Sequence, residues 1–148
     1  MKKITYSIFL LIFLLGFSFC KIQNYTPVDY PKGQIIFGSG GGLTGAIDEI
    51  FILDNGDVFS KAGLDTNYVA IKTLKDPVVE QVFTNVEFLN LKEIKLNKPG
   101  NMYNFIRIKN KDVDHQIVWS GQNDVSKEVT KFYAILKHLA KVEKQSND

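Results

Sequence analysis

The sequence predicts an α+β fold: an antiparallel sheet of about four or five strands with two amphipathic helices packed on one face. Three observations carry this expectation. Asn55-Gly56 stands between two apolar runs, which is the strongest short-range signal for a β-hairpin. Phe105 to Lys109 alternates so that Phe105, Arg107 and Lys109 fall on one side and Ile106 and Ile108 on the other, with an apolar run at 115–120 to pair with it. Two further stretches place apolar residues at helical spacing, Val79, Val82, Phe83, Val86 and Leu89, then Val125, Val129, Phe132, Tyr133, Leu136, Leu139 and Ala140. Strand pairs mixed with helices of this kind bury their apolar faces by laying helices over one side of a sheet.

In chain order, Met1-Lys2-Lys3 precedes an uncharged stretch from Ile4 to Phe19, closed by Cys20. A short basic start before an apolar run of roughly 7–15 residues describes an export signal, and the run is short of the roughly 20 residues of a membrane span. Residues 1–19 therefore read as a signal peptide. A lone Cys at its end resembles the lipidated Cys of bacterial lipoproteins, which implies a thioether-linked lipid at Cys20. Phe17-Ser18-Phe19 lacks the small residue that usually comes before such a Cys, so a plain exported protein or an uncleaved anchor is the competing reading. Residues 20–33, polar and with Pro27 and Pro31, read as a tether, and 34–145 as a single domain.

Within that domain Ile35-Ile36-Phe37 forms a short strand running into Gly38-Ser39-Gly40-Gly41-Gly42-Leu43-Thr44-Gly45. Residues 46–53 form the next strand, with a helix as the rival since Asp48 and Glu49 break the alternation. Residues 58–61 return after the Asn-Gly turn, and 68–74 supply a candidate further strand. Asp76-Pro77 opens a helix, Asp as cap and Pro at the first helical position, ending near Asn90. Residues 102–109 and 115–120 make the second hairpin. Asn123 or Asp124 caps the final helix, whose Lys127, Lys131, Lys137, Lys141 and Lys144 face water.

Charge argues against nucleic acid as a partner. The chain has 18 Lys+Arg and 16 Asp+Glu, and Lys2 and Lys3 belong to the signal, so the rest is balanced at 16 of each. Arg107 is the sole arginine. One cysteine excludes an intramolecular disulfide, so ordinary packing must hold the domain.

Catalytic patterns are thin. Gly40-Gly41-Gly42-Leu43-Thr44-Gly45 satisfies G-x-G-x-x-G, but a dinucleotide site needs that turn to open a helix, and here a strand follows. Ser39 lacks the first glycine of a nucleophile elbow, and no spacing ties it to His115, His138, Asp112 or Asp114. His115 reads as a turn residue and His138 as a helix-surface residue. Two isolated histidines do not make a zinc site, and Asp54-Asn55-Gly56-Asp57 lacks the further acids of a calcium loop. The expectation is a non-enzyme without metal or cofactor. Tyr103 and Trp119 read as sheet residues.

Phe37 to Gly45, the strand and Asp54-Asn55-Gly56 after it, Pro99-Gly100-Asn101-Met102-Tyr103 and His115-Gln116-Ile117-Val118-Trp119 together resemble a group of small Bacteroidota lipoproteins that has no agreed function. More distantly, the order of parts is similar to emfourin-type inhibitors of thermolysin-like metalloproteases, with Gly41-Gly42-Leu43-Thr44-Gly45 in the place of their GGF(A/T)G-like segment and Leu43 for Phe. That similarity implies a protease-inhibiting role. From the residues themselves, the glycine run is either a tight strand connection or a surface loop offering main chain and Leu43 to a partner. The expected contact residues are Gly40, Gly41, Gly42, Leu43, Thr44 and Gly45. The resulting expectation is an exported cell-envelope protein, lipid-anchored through Cys20, that binds a protein partner.

Overall fold

A computed structural model describes residues 25–141. Its strands are β1 Gln34–Gly41, β2 Ala46–Leu53, β3 Asp57–Lys61, β4 Val69–Thr73, β5 Met102–Lys109 and β6 Asp114–Trp119. The helices are α1 Asp76–Phe88 and α2 Lys127–Leu139, with a short 3-10 turn at Leu91–Glu93. All six strands join one antiparallel sheet in the order β4-β3-β2-β1-β5-β6. The fold is α+β, with one strand more than the upper expectation, and residues 46–53 are strand rather than helix.

Both helices cover the same sheet face. Ile35, Phe37, Ile52, Val58, Ile106, Ile108, Ile117 and Trp119 meet Val82 and Val86 of α1 and Val129, Phe132, Tyr133 and Leu136 of α2 in one buried core. The period-2 alternation of β5 holds: Ile106 and Ile108 enter this core while Phe105 lies on the other face. That second face carries a smaller buried cluster, Ile36, Phe51, Phe105 and Val118. Half-buried Ile47, Phe59 and Tyr103 of the sheet and Tyr68 of the β3–β4 connection pack around it.

Helix caps differ from expectation by one residue in α1 and by two or three in α2. Lys75 is the cap position of α1, without a side-chain hydrogen bond, and Asp76 lies inside the first turn. There its charge still complements the helix dipole. Ser126 caps α2, its Oγ accepting from Val129 N–H at 3.3 Å. Asp124 is used one turn earlier, where its carboxylate accepts from the amides of Ser120 and Gly121. Those two donors hold its pKa below the ordinary carboxylate value.

The segment read as a tether is docked over its described part, 25–33. Pro27 and Tyr30 are buried. The Tyr30 hydroxyl donates to Asp54 Oδ1, and Gly33 N–H donates to Asp54 Oδ2 at 3.1 Å. Asp54 N–H returns a bond to Gly33 O at 2.9 Å. Gln34, 2% exposed, donates from Nε2 to Pro27 O. Polar composition concealed this docking because only Pro27 and Tyr30 of the segment are buried, and their partners lie outside it in sequence. Burial and the bond to Asp54 push the Tyr30 pKa upward.

Candidate functional site

The glycine run divides at Gly41. Gly38, Ser39, Gly40 and Gly41 are not loop: they continue β1 and pair on both sides, with Glu49 to Ala46 of β2 and Phe105 to Met102 of β5. Glycine has low strand propensity because it gives up backbone entropy and packs nothing, but two flanking strands override that local preference. Sterics explain the choice. A Cβ on Gly38 would stand 1.9 Å from the Asp48 carbonyl oxygen, and one on Gly41 2.1 Å from that of Asn101. Both obstacles are backbone and cannot swing aside. Gly40 has a different neighbour, the Tyr103 ring, which lies across it on the helix-free face.

The loop proper is Gly42-Leu43-Thr44-Gly45. Gly42 and Gly45 adopt φ of 75° and 64°, the left-handed region that other residues enter only with strain. Gly45 N–H bonds back to Gly42 O at 3.3 Å, and Gly42 N–H bonds outward to Asn101 O at 2.7 Å. The turn is therefore tied to the start of β5 as well as closed on itself. Leu43, at the tip, is fully exposed. Of the six expected contact residues, the structure groups Gly42 to Gly45 as a surface turn and places Gly40 and Gly41 inside the sheet.

Two residues that the sequence reading passed over stand at the same end of the sheet. Met102 pairs with Gly41, and its sulfur borders Gly42. Leu64 lies in the β3–β4 loop, next to Gly63, whose N–H donates to Asp48 Oδ1 at 2.8 Å and whose carbonyl accepts from Ile47 N–H. Leu64 and Met102 are both exposed. Gly63-Leu64 repeats the Gly-Leu pattern of Gly42-Leu43, which was the available signal. The connecting segments 42–46, 62–68 and 100–102 carry one charge, Asp65. These connections are poor in charge and are cross-linked by main-chain hydrogen bonds, while Asp48, the Lys61–Glu49 pair and the Lys98–Asp124 pair supply the charges at this end of the sheet.

Behind it, Tyr133 of α2 donates its hydroxyl to Gly38 O at 2.8 Å. The hydroxyl also lies 3.1 Å from the Asn104 side-chain amide. Its ring packs edge-on against Phe37 and Trp119. Burial pushes its pKa up to about 12. Tyr133 thus joins the helical layer to the strand that carries the turn.

The other candidates lie elsewhere. His115 is within β6, not in a turn, with Nε2 3.0 Å from Ile94 O. His138 is an exposed residue of α2. Ser39 pairs with Asp48 and Asn104, whereas His115 pairs with Ile108, four residues farther along β5, so no triad is assembled. Trp119 is buried in the core and Tyr103 is half-buried. Arg107 forms a paired bond with Asp114, both contacts at 2.6 Å, which lowers the Asp114 pKa. Among the described residues no group of three or more His, Cys, Asp or Glu is arranged to hold a metal ion. Cys20 and residues 1–19, read as a signal peptide from the sequence, lie outside the described residues.

Compared with models of protein families the chain matches none, and no curated protein matches it significantly.

Proposed function

We propose that this chain is an exported, lipid-anchored interaction domain that offers the Gly42–Gly45 turn to a protein partner. The observation that carries the reading is Leu43: an aliphatic side chain with its whole surface in water, on a turn held by Gly42–Asn101 and by two-sided pairing of its stem. Large exposed apolar groups are worth explaining when they sit on rigid supports, because a preordered anchor loses little entropy on binding. The charged, signal-like amino terminus and Cys20 support export and anchoring. Segments 42–46, 62–68 and 100–102 contain no Lys or Arg, which disfavours an anionic ligand at the turn.

A second reading is inhibition of a thermolysin-like metalloprotease. It is favoured by the shape of the tip: Gly42, Thr44 and Gly45 flank Leu43 without bulk, so the turn can enter a cleft with Leu43 leading. Thermolysin-like enzymes accept a bulky apolar residue beside the scissile bond, which Leu43 would supply.

The test is titration of a soluble form beginning at Gln23 against thermolysin, beside Leu43→Asp. The inhibitor reading expects inhibition in the parent and its loss in a variant of unchanged thermal stability. Inhibition that survives Leu43→Asp removes the turn from the contact. No inhibition at high micromolar concentration removes the protease and leaves the general binding reading.

A further inference from the structure

The docked segment 25–33 has a directional consequence. β1 begins at Gln34, directly after this segment, and ends at Gly41, directly before the turn. Eight residues of strand span about 25 Å. The entry of the chain and the Leu43 turn are therefore at opposite ends of the sheet. Leu53, Lys109 and the Asp54 turn share the entry end, since Gln34 pairs with Leu53 and Lys109. Met102 and Leu64 share the far end with Leu43.

A flexible tether would let either end face a membrane. The contacts of 25–33 hold this segment to the domain. Asp54 binds it twice by side chain and once by main chain, at Tyr30 and Gly33. Gln34 binds it at Pro27, Tyr25 packs edge-on against Tyr30 at 5.4 Å, and Gly33 lies against Phe83. Tyr30 and Pro27 are buried in these contacts. Only residues 21–24 separate Cys20 from the docked segment, a reach of at most about 18 Å.

We infer that 25–33 is a latched strap that fixes which way the domain faces: entry end toward the lipid, Leu43 end toward the aqueous side. This rests on the reading of Cys20 as the anchored residue. The partner is then a protein that approaches from the aqueous phase, its binding site standing about 25 Å beyond the entry end. A ligand within the same bilayer surface would be out of reach of Leu43. Asp54 is a positioning residue in this scheme, touching no partner.

Two measurements test it. In the soluble form from Gln23, which contains every described element, spin labels at Val28→Cys and Thr44→Cys are expected to give one narrow distance. Tyr30→Ser or Asp54→Ala is expected to broaden it while circular dichroism stays native. A broad distribution in the parent, or one unchanged by both substitutions, overturns the strap. The full chain is then reconstituted on vesicles with headgroup-labelled lipid, with a fluorophore at Lys111→Cys or Thr44→Cys. Energy transfer is expected to be several-fold stronger from Lys111 at the entry end. Equal or reversed transfer overturns the orientation even if the strap is latched. Failure of the chain to sediment with vesicles overturns the anchoring reading and the orientation with it, while the spin-label distance still decides the strap.

Discussion

The two halves of the glycine run look alike in sequence and are used for opposite purposes. Gly38 to Gly41 lie inside a sheet, paired left and right, and their missing side chains make room for backbone and for Tyr103. Gly42 and Gly45 lie in water, and what they contribute is a backbone conformation. A Cβ on Gly45 would meet nothing within 4 Å, whereas one on Gly38 would meet a carbonyl at 1.9 Å. Glycine is thus required by crowding at Gly38, by crowding together with a φ of 114° at Gly41, and by dihedral angle at Gly42 and Gly45. The lesson is that a glycine cluster marks a place where backbones approach or turn, and only the partner strands tell which.

Substitutions can break that comparison, and the largest effect belongs to the strand half. Gly38→Ala is expected to cost about 3 kcal/mol or more, because the obstruction is main chain of β2 and the sheet must part to admit a methyl group. Urea denaturation checks this; a loss below about 1 kcal/mol would mean that the two strands yield easily. Next comes Tyr133→Phe, which leaves the Gly38 carbonyl without its hydroxyl donor and is expected to cost about 1–3 kcal/mol. Its pH dependence sharpens the assignment. The folded pKa of about 12 lies above the ordinary tyrosine value, so Tyr133 contributes its full stability below about pH 10 and loses it as pH rises toward 12. The stability gap between parent and Tyr133→Phe should therefore narrow across that window in parallel melts; a constant gap would assign the effect to packing alone.

The turn half should respond mildly. Gly45→Ala has free space but a positive φ, so the expected cost is about 1 kcal/mol, read as a small fall in Tm. Leu43→Asp is expected to change stability by less than about 0.5 kcal/mol, since a fully exposed side chain loses no packing. Yet it is the substitution expected to abolish partner binding. If Leu43→Asp destabilised the domain as strongly as Gly38→Ala, the contrast between the halves would collapse and Leu43 would belong to the core.

Legibility in the sequence followed the reach of the signal. Repeating patterns were read well in their middles: α1 holds Val79 to Val86 with Leu89 at its C-cap, α2 holds Val129 to Leu139 with Ala140 at its C-cap, and Ile106 and Ile108 point inward as their alternation requires, whereas Val125, counted in the final helical stripe, precedes the Ser126 cap. Single-residue signals were read less well. Asp76 and Asp124 both suit a helix cap, but Lys75 and Ser126 hold those positions: Asp76 lies inside the first turn of α1, and the turn at Ser120 and Gly121 takes the Asp124 carboxylate. The docking of 25–33 depends on Tyr30 meeting Asp54, 24 residues away, a contact without local pattern.

The sequence by itself determined the α+β class, both hairpins, both helices and an apolar residue within a glycine-flanked turn. These follow from periodicity and turn chemistry, which act over a few neighbouring residues. Only the tertiary structure decided that β1 extends through Gly41, that Leu43, Leu64 and Met102 share one end of the sheet, and that the strap occupies the other. Strand order and close approach bring residues together across the sheet, and the contacts between them belong to no single stretch of chain.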